Sequence, residues 1–172
     1  MSTLVALSVS IGLLGGIATF IYLKLGLAIW AGFIAWACFF HCGGDSNALK
    51  QTIVGNIFGA VCAWIAAFII LSFPIGDKLG LPAWAAIVVG ITVFLLCLAA
   101  HIKALAVIPA SVYGYAATFA YLLLTAQAMV IAEMTAIDFK RNALLFVVIS
   151  MVLGAFFGLA SAKLAAALAK KA

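Results

Sequence analysis

The hydrophobic pattern runs in long apolar stretches broken by short polar punctuation, with no sustained alternation of inward and outward positions. Breaks at Lys24, CGGDSN, PIGDKLGLP, His101 to Lys103 and EMTAIDFKR leave six apolar segments at about 3–23, 27–42, 51–73, 83–101, 104–126 and 142–165. A helix needs about 20 mostly apolar residues to cross the hydrocarbon core, whereas membrane barrel strands are short and alternating. The pattern therefore predicts an all-α membrane protein with about six transmembrane helices. Asp45, Ser46 and Asn47 offer N-cap side chains to the third segment, and Thr135 with Asp138 has capping-box spacing before a short helix leading into the last.

Composition agrees with this picture and narrows it. With 69% hydrophobic and 8% charged residues and a mean hydropathy of +1.39, a soluble globular domain is excluded. The first segment lacks the basic flank and small-residue cleavage pattern of a secretory signal, so it reads as a span. No stretch is Pro-, Ser- or Gln-rich, and residues 1–172 are expected to form a single transmembrane domain. A net charge of +5 would suggest nucleic acid for a soluble chain. Here the nine Lys and Arg stand singly or in pairs at segment ends, which makes the lipid bilayer the expected partner and nucleic acid not one. The basic tail at Lys170 and Lys171 tips the expected orientation toward cytoplasmic termini. Four cysteines in or beside apolar segments do not form a secreted-type disulfide framework.

The chain also matches itself. NALKQTIVGNIFGA at Asn47 to Ala60 lies over NALLFVVISMVLGA at Asn142 to Ala155 at an offset of 95. Upstream, an offset of 79 superposes Lys24 on Lys103, Trp36 on Tyr115 and Phe40 on Phe119, with a 16-residue insertion accounting for the difference. Each half, about 3–73 and 83–165, then holds three helices. Three is odd, so the second copy would enter the membrane from the opposite side, giving the inverted-topology repeats common in channels and transporters.

The segment IWAGFIAWACFFHCGG, followed by Asn47 and the helix carrying Gly55 and Gly59, resembles the YcdZ-like family of small bacterial inner-membrane proteins of unknown function. The likeness covers most of the chain. It implies a multi-pass protein of a bacterial inner (cytoplasmic) membrane and carries no activity, cofactor or catalytic residue with it.

Small residues recur every fourth position as Gly55, Gly59 and Ala63 in one segment and as Ser150, Gly154, Gly158 and Ala162 in another. Such stripes let helix backbones approach closely in lipid. Their partner is expected to be the other repeat, with a neighbouring subunit as the alternative. Gly12 and Gly16 in the first segment have the same spacing and are candidates for subunit contacts in a homo-oligomer.

The second and fifth segments are the unusual ones. One contains Gly32 and ends early at His41-Cys42-Gly43-Gly44; the other carries Pro109 about five residues in. Interrupted spans at matching positions of two repeats expose backbone carbonyls and mark solute sites. The same segments hold Trp36 and Tyr115, with Phe40 and Phe119 as paired constrictions. Trp36 and Tyr115 need hydrogen-bond partners away from water, and Ser111, Thr118 and Asn56 are the polar candidates for that neighbourhood. Lys24, Lys103, His41 and His101 would stand at the pathway mouths, while Trp30, Trp84 and Tyr121 read as interfacial aromatics.

Metal and enzyme chemistry find little support. Cys38, His41 and Cys42 lie within one helical turn, but only His101 and distant cysteines could complete a four-ligand site, so no metal or cofactor is expected. The four acidic residues all fall at segment ends or between segments, so no catalytic triad and no buried proton relay is expected. The sequence thus points to a passive channel or facilitator for a small neutral or anionic solute. The alternative is an accessory subunit packed on another membrane protein.

Overall fold

The computed structural model describes residues 1–73 and 75–169. The tail residues Lys170 and Lys171, used above for orientation, lie outside them. Among the described residues every regular element is helical and there is no strand. The main helices are α1 (Thr3–Leu25), α2 (Ile29–His41), α3 (Ser46–Ser72), α5 (Leu81–Leu98), α6 (Ile108–Leu124) and α8 (Ala143–Leu168), with single turns α4 (Gly76–Leu79) and α7 (Ile131–Met134) in the connections.

Among the described residues, four helices are long and apolar enough to cross a membrane: α1 at 23 residues, α3 at 27, α5 with its following turn at 21 and α8 at 26. The chain is an integral membrane protein. At about 1.5 Å per residue, α2 reaches only about 20 Å and α6 about 26 Å, short of a core about 30 Å thick.

Local chemistry sets the ends. Ser2 caps α1, its hydroxyl accepting from the Val5 N–H at 3.4 Å. Gly26 stops the same helix in the left-handed region at φ 67°, a conformation glycine adopts without a Cβ penalty. Asp45 starts α3, its carboxylate accepting from the Ala48 N–H at 2.7 Å. That cap begins α3 several residues before the apolar stretch, carrying Lys50 into its first turns.

Two local expectations are corrected. The Thr135–Asp138 capping box does not form: Thr135 donates back to the Ile131 carbonyl at 2.8 Å, and Asp138 accepts from the Lys140 N–H at 3.0 Å. The α8 cap is Asn142, whose side-chain oxygen accepts from Leu144 and Leu145 at 3.0 and 3.2 Å. Pro109 does not interrupt a span either. It occupies the first turn of α6, where its missing N–H has no helical partner to lose. The break falls upstream, in two 3-10 turns at Ala99–His101 and Lys103–Leu105.

The described residues fold into two compact units, residues 1–53 with 150–169 and residues within 54–149. In the first, α1 and α2 pack on the C-terminal part of α8 around Ala18, Tyr22 and Trp36, with Leu153 and Phe157 against them. In the second, α5 and α6 pack with the larger part of α3 around Ala63, Leu96 and Tyr115, and around Ala66, Ile70 and Val88.

Candidate functional site

In the first unit the small-residue stripe of α8 makes the close approach. A Cβ built on Gly154 would collide with the carbonyl group of Gly32, and one on Gly158 would lie 2.8 Å from the Phe39 ring. Glycine is therefore required on α8 for its backbone to reach α2. Around this crossing runs a polar network linking three helices. Tyr22 donates to the Ser150 carbonyl at 2.5 Å, and the Ser150 hydroxyl accepts from the Ala28 N–H at 3.1 Å. Trp36 donates its indole N–H to the Ser161 hydroxyl at 3.0 Å; that hydroxyl donates onward to the Gly158 carbonyl at 2.7 Å. Ser10 on α1 reaches the Ser161 carbonyl at 2.6 Å. Each such bond between membrane helices contributes about 0.6 kcal/mol on average, so the network fixes orientation more than it adds stability.

The second unit repeats the close crossing with α3 and α6. A Cβ on Gly59 would collide with the Ser111 carbonyl, one on Gly114 with the Asn56 carbonyl, and one on Gly55 would lie 2.6 Å from Ala110 Cβ. Both stripes therefore meet helices of the same chain, α2 for the α8 stripe and α6 for the α3 stripe. Gly12 and Gly16 on α1 have no atom near a built Cβ and are exposed.

Placement of the remaining site residues is as follows. Trp36 is buried in the first unit and Tyr115 in the second. Their expected partners were Ser111, Thr118 and Asn56; the structure gives Ser161 to Trp36, and Thr92, at 2.9 Å, to Tyr115. Thr118 instead donates to the Gly114 carbonyl of its own helix at 3.0 Å. Phe40 packs edge-on to Phe39, 5.3 Å between ring centres, and Phe119 lies 5.1 Å from the Tyr115 ring. Phe119 and Tyr115 line an apolar cavity of about 450 Å³ with Ile70, Leu81, Val89 and Met129. Lys24, Lys103, His41 and His101 are exposed at helix ends or in the 3-10 turns. Of the interfacial aromatics, Trp30 is exposed, while Tyr121 is buried and donates to the Lys140 carbonyl at 3.1 Å.

Among the buried side chains without a hydrogen-bond partner, which include the Thr52 hydroxyl and the Trp84 indole N–H, Asn56 and Ser111 share one helix crossing. Asn56 is 3% exposed and Ser111 1%. Neither side-chain atom of the Asn56 amide reaches a hydrogen-bond partner, and neither does the Ser111 hydroxyl. An unsatisfied buried polar group costs about 1–3 kcal/mol, which marks this crossing as a place where a partner is wanted.

Sequence reasoning missed Tyr22, Thr92 and Ser161, which anchor the two aromatic clusters. A tyrosine placed well inside an apolar segment was the available signal, since its hydroxyl needs an acceptor in lipid. Cys38 and Cys42 place their sulfurs 4.0 Å apart, and among the described residues no three His, Cys, Asp or Glu side chains converge.

One polar feature lies outside the long helices. Arg141 pairs with Glu133 through two contacts of 2.7 and 2.5 Å beside a cavity of about 230 Å³. The hydrogen bond from Arg141, and then its charge, hold the Glu133 carboxyl below the ordinary glutamate range. A lowered folded-state value stabilises the connection above the ordinary glutamate pKa, and that contribution is lost as pH falls through the lowered value. An NMR titration of Glu133 should therefore show a depressed midpoint that Arg141→Gln returns to the ordinary range. Identical midpoints in both proteins would show the pair to be absent in solution.

The family model described as DUF1097, protein of unknown function, matches residues 8–166. The chain belongs to this family. The DUF1097 chain is 30% identical over 121 residues to the protein named inner membrane protein YcdZ of Escherichia coli K12, covering 70% of this chain and 71% of that one. It is likewise 30% identical over 121 residues to inner membrane protein YcdZ of Salmonella typhimurium LT2, covering 72% of that protein. The resemblance read from Trp30 to Gly44 is thus shown. No solved structure matches the DUF1097 chain.

Proposed function

We propose that this protein is a passive facilitator for a small solute in a bacterial inner membrane, built from six membrane crossings as two inverted three-helix repeats. One repeat is α1, α2 and α3, and the other α5, α6 and α8. The observation that carries the reading is a correspondence of contacts. Gly32 meets Gly154 in one unit and Ser111 meets Gly59 in the other. The offset of 79 takes Gly32 to Ser111, and the offset of 95 takes Gly59 to Gly154. Offsets taken from sequence alone thus carry one tight helix crossing onto the other, which supports common descent of the halves and the inverted arrangement three helices impose. The shortness of α2 and α6 supports their role as the discontinuous elements of such folds.

The chemistry supports passive movement. Among the described residues no Asp or Glu is buried, and the buried polar groups are hydroxyls and one amide. Carboxylate relays are the usual means of proton coupling. We propose as solute-route residues Trp36, Phe40 and Gly32, with Lys24 and His41 at a mouth, in the first unit, and Tyr115, Phe119 and the backbone around Pro109, with Lys103 and His101 at a mouth, in the second. The exposed Gly12/Gly16 face of α1 supports a homo-oligomer through close helix contacts.

Two measurements test the reading together. Tags on the two termini should report the same membrane side, because six crossings return the chain to where it began. Proteoliposomes should take up small neutral solutes with little dependence on a pH gradient, and Phe119→Ala should alter the rate. Tags on opposite sides would remove the inverted repeat. Protein that conducts nothing and purifies only with another membrane protein would favour the accessory-subunit alternative.

A further inference from the structure

Every buried polar side chain among the described residues is uncharged: Ser10, Thr52, Asn56, Ser111, Thr118, Ser150 and Ser161. Most have a visible task. Ser10, Ser150 and Ser161 tie α1 and α2 to α8, and Thr118 bonds within α6. The side chains of Thr52, Asn56 and Ser111 have none, and the last two sit at one crossing, where the Asn56 backbone meets Gly114 and the Ser111 carbonyl meets Gly59.

The chain contains its own control for whether packing needs them. At the corresponding crossing the offset of 95 places Met151 where Asn56 stands, and the offset of 79 places Gly32 where Ser111 stands. Met151 is 1% exposed, and Gly154 approaches Gly32 as tightly as Gly59 approaches Ser111. A methionine and a glycine therefore satisfy the same geometry without leaving polar atoms unpaired. Three buried polar atoms kept without partners are explained by a ligand that supplies them.

We infer that Asn56 and Ser111 form the hydrogen-bonding core of a binding site for a small uncharged solute bearing both donor and acceptor groups. This rests on the facilitator reading above and narrows its solute. The amide offers two donors and a carbonyl, and the hydroxyl can donate or accept, so the pair matches a molecule that does both. An anion would meet only neutral dipoles here, with no buried cation among the described residues to offset its desolvation. A neutral solute exchanges its water hydrogen bonds for these at little cost.

The experiment uses acetamide as the probe, formate as the charged comparison, and the variant Asn56→Met with Ser111→Gly, which installs the residues of the other crossing. Parent protein in liposomes should take up acetamide faster than formate, and the double variant should slow acetamide by at least about tenfold. In detergent the variant should melt at or above the parent temperature, because unpaired polar groups have been removed, and acetamide should raise the melting midpoint of the parent alone. Unchanged acetamide uptake in the variant would overturn the site and leave the facilitator reading standing. Formate uptake without acetamide uptake would overturn the neutral class. A variant that melts well below the parent would make the pair structural and overturn the inference. An acetamide-dependent melting shift without any uptake would keep the site and refute the facilitator reading; neither shift nor uptake would refute both.

Discussion

Gly59→Ala and Gly154→Ala will each destabilise the protein in detergent, whereas alanine at Gly90 will not. At Gly59 the added Cβ meets the Ser111 carbonyl, and at Gly154 it meets the carbonyl of Gly32, so the obstacle in both cases is backbone that cannot rotate away. Overpacking in a tight interior costs about 1–3 kcal/mol, and a clash with a helix backbone belongs at the upper end because two helices must separate to relieve it. At Gly90 a built Cβ meets nothing within 4 Å, and alanine there is a better helix former than glycine. Thermal melting followed by size-exclusion chromatography checks the contrast. Parent-like melting of both Gly59→Ala and Gly154→Ala would mean that α3 and α8 do not approach α6 and α2 in this way.

The two sensitive glycines were legible in the sequence, because spacing of four along an apolar segment puts small residues on one helix face whatever that face meets. Their partners were not. The stripe of Gly55 and Gly59 records that some backbone comes close, but Ser111 and Ala110 lie more than 50 residues away and carry no local mark of the contact. The helix positions followed readily from hydropathy, with errors confined to places where cap chemistry competes with it. Asp45 extended α3 into polar sequence, and Pro109 marked a helix start rather than a kink, since a proline in an apolar run reads the same way in either role until the upstream turns are seen.

The hydrogen-bond partners were the least legible part. Trp36 and Tyr115 were recognised as needing acceptors, and the nearest polar residues in matching segments were the natural choices. The actual acceptor of Trp36 is Ser161 on α8, and the partner of Tyr115 is Thr92 on α5. Both lie on the helix brought alongside by tertiary packing, and a hydroxyl in an Ala-rich or Val-rich run gives no sign of which helix it will face. Asn56 and Ser111 read from sequence as partners of the aromatics for the same reason, and the structure leaves both side chains without a hydrogen-bond partner.

Trp36 substitutions will divide into two outcomes according to whether the ring or only its N–H is lost. The indole is 4% exposed, lies 5.6 Å from the Phe33 ring and 5.8 Å from Phe157 between centres, and donates to Ser161 at 3.0 Å. Trp36→Ala empties this aromatic layer and should cost about 3–5 kcal/mol, the usual penalty for deleting a large buried ring. Trp36→Phe keeps the ring and forfeits one interhelical hydrogen bond, about 0.6 kcal/mol. Ser161→Ala should hurt the parent more than it hurts Trp36→Phe, because only the parent is left with a buried indole N–H and no acceptor. The N–H is already engaged by Ser161, so it is not free to bind a passing solute, and Trp36 can contribute to the proposed pathway only as an apolar wall. Solute uptake should consequently survive in Trp36→Phe and change in Trp36→Ala, measured in liposomes with protein content matched for the less stable variant. Loss of uptake in Trp36→Phe with its melting preserved would mean that the indole N–H leaves Ser161 to meet the solute, and the wall assignment would fall.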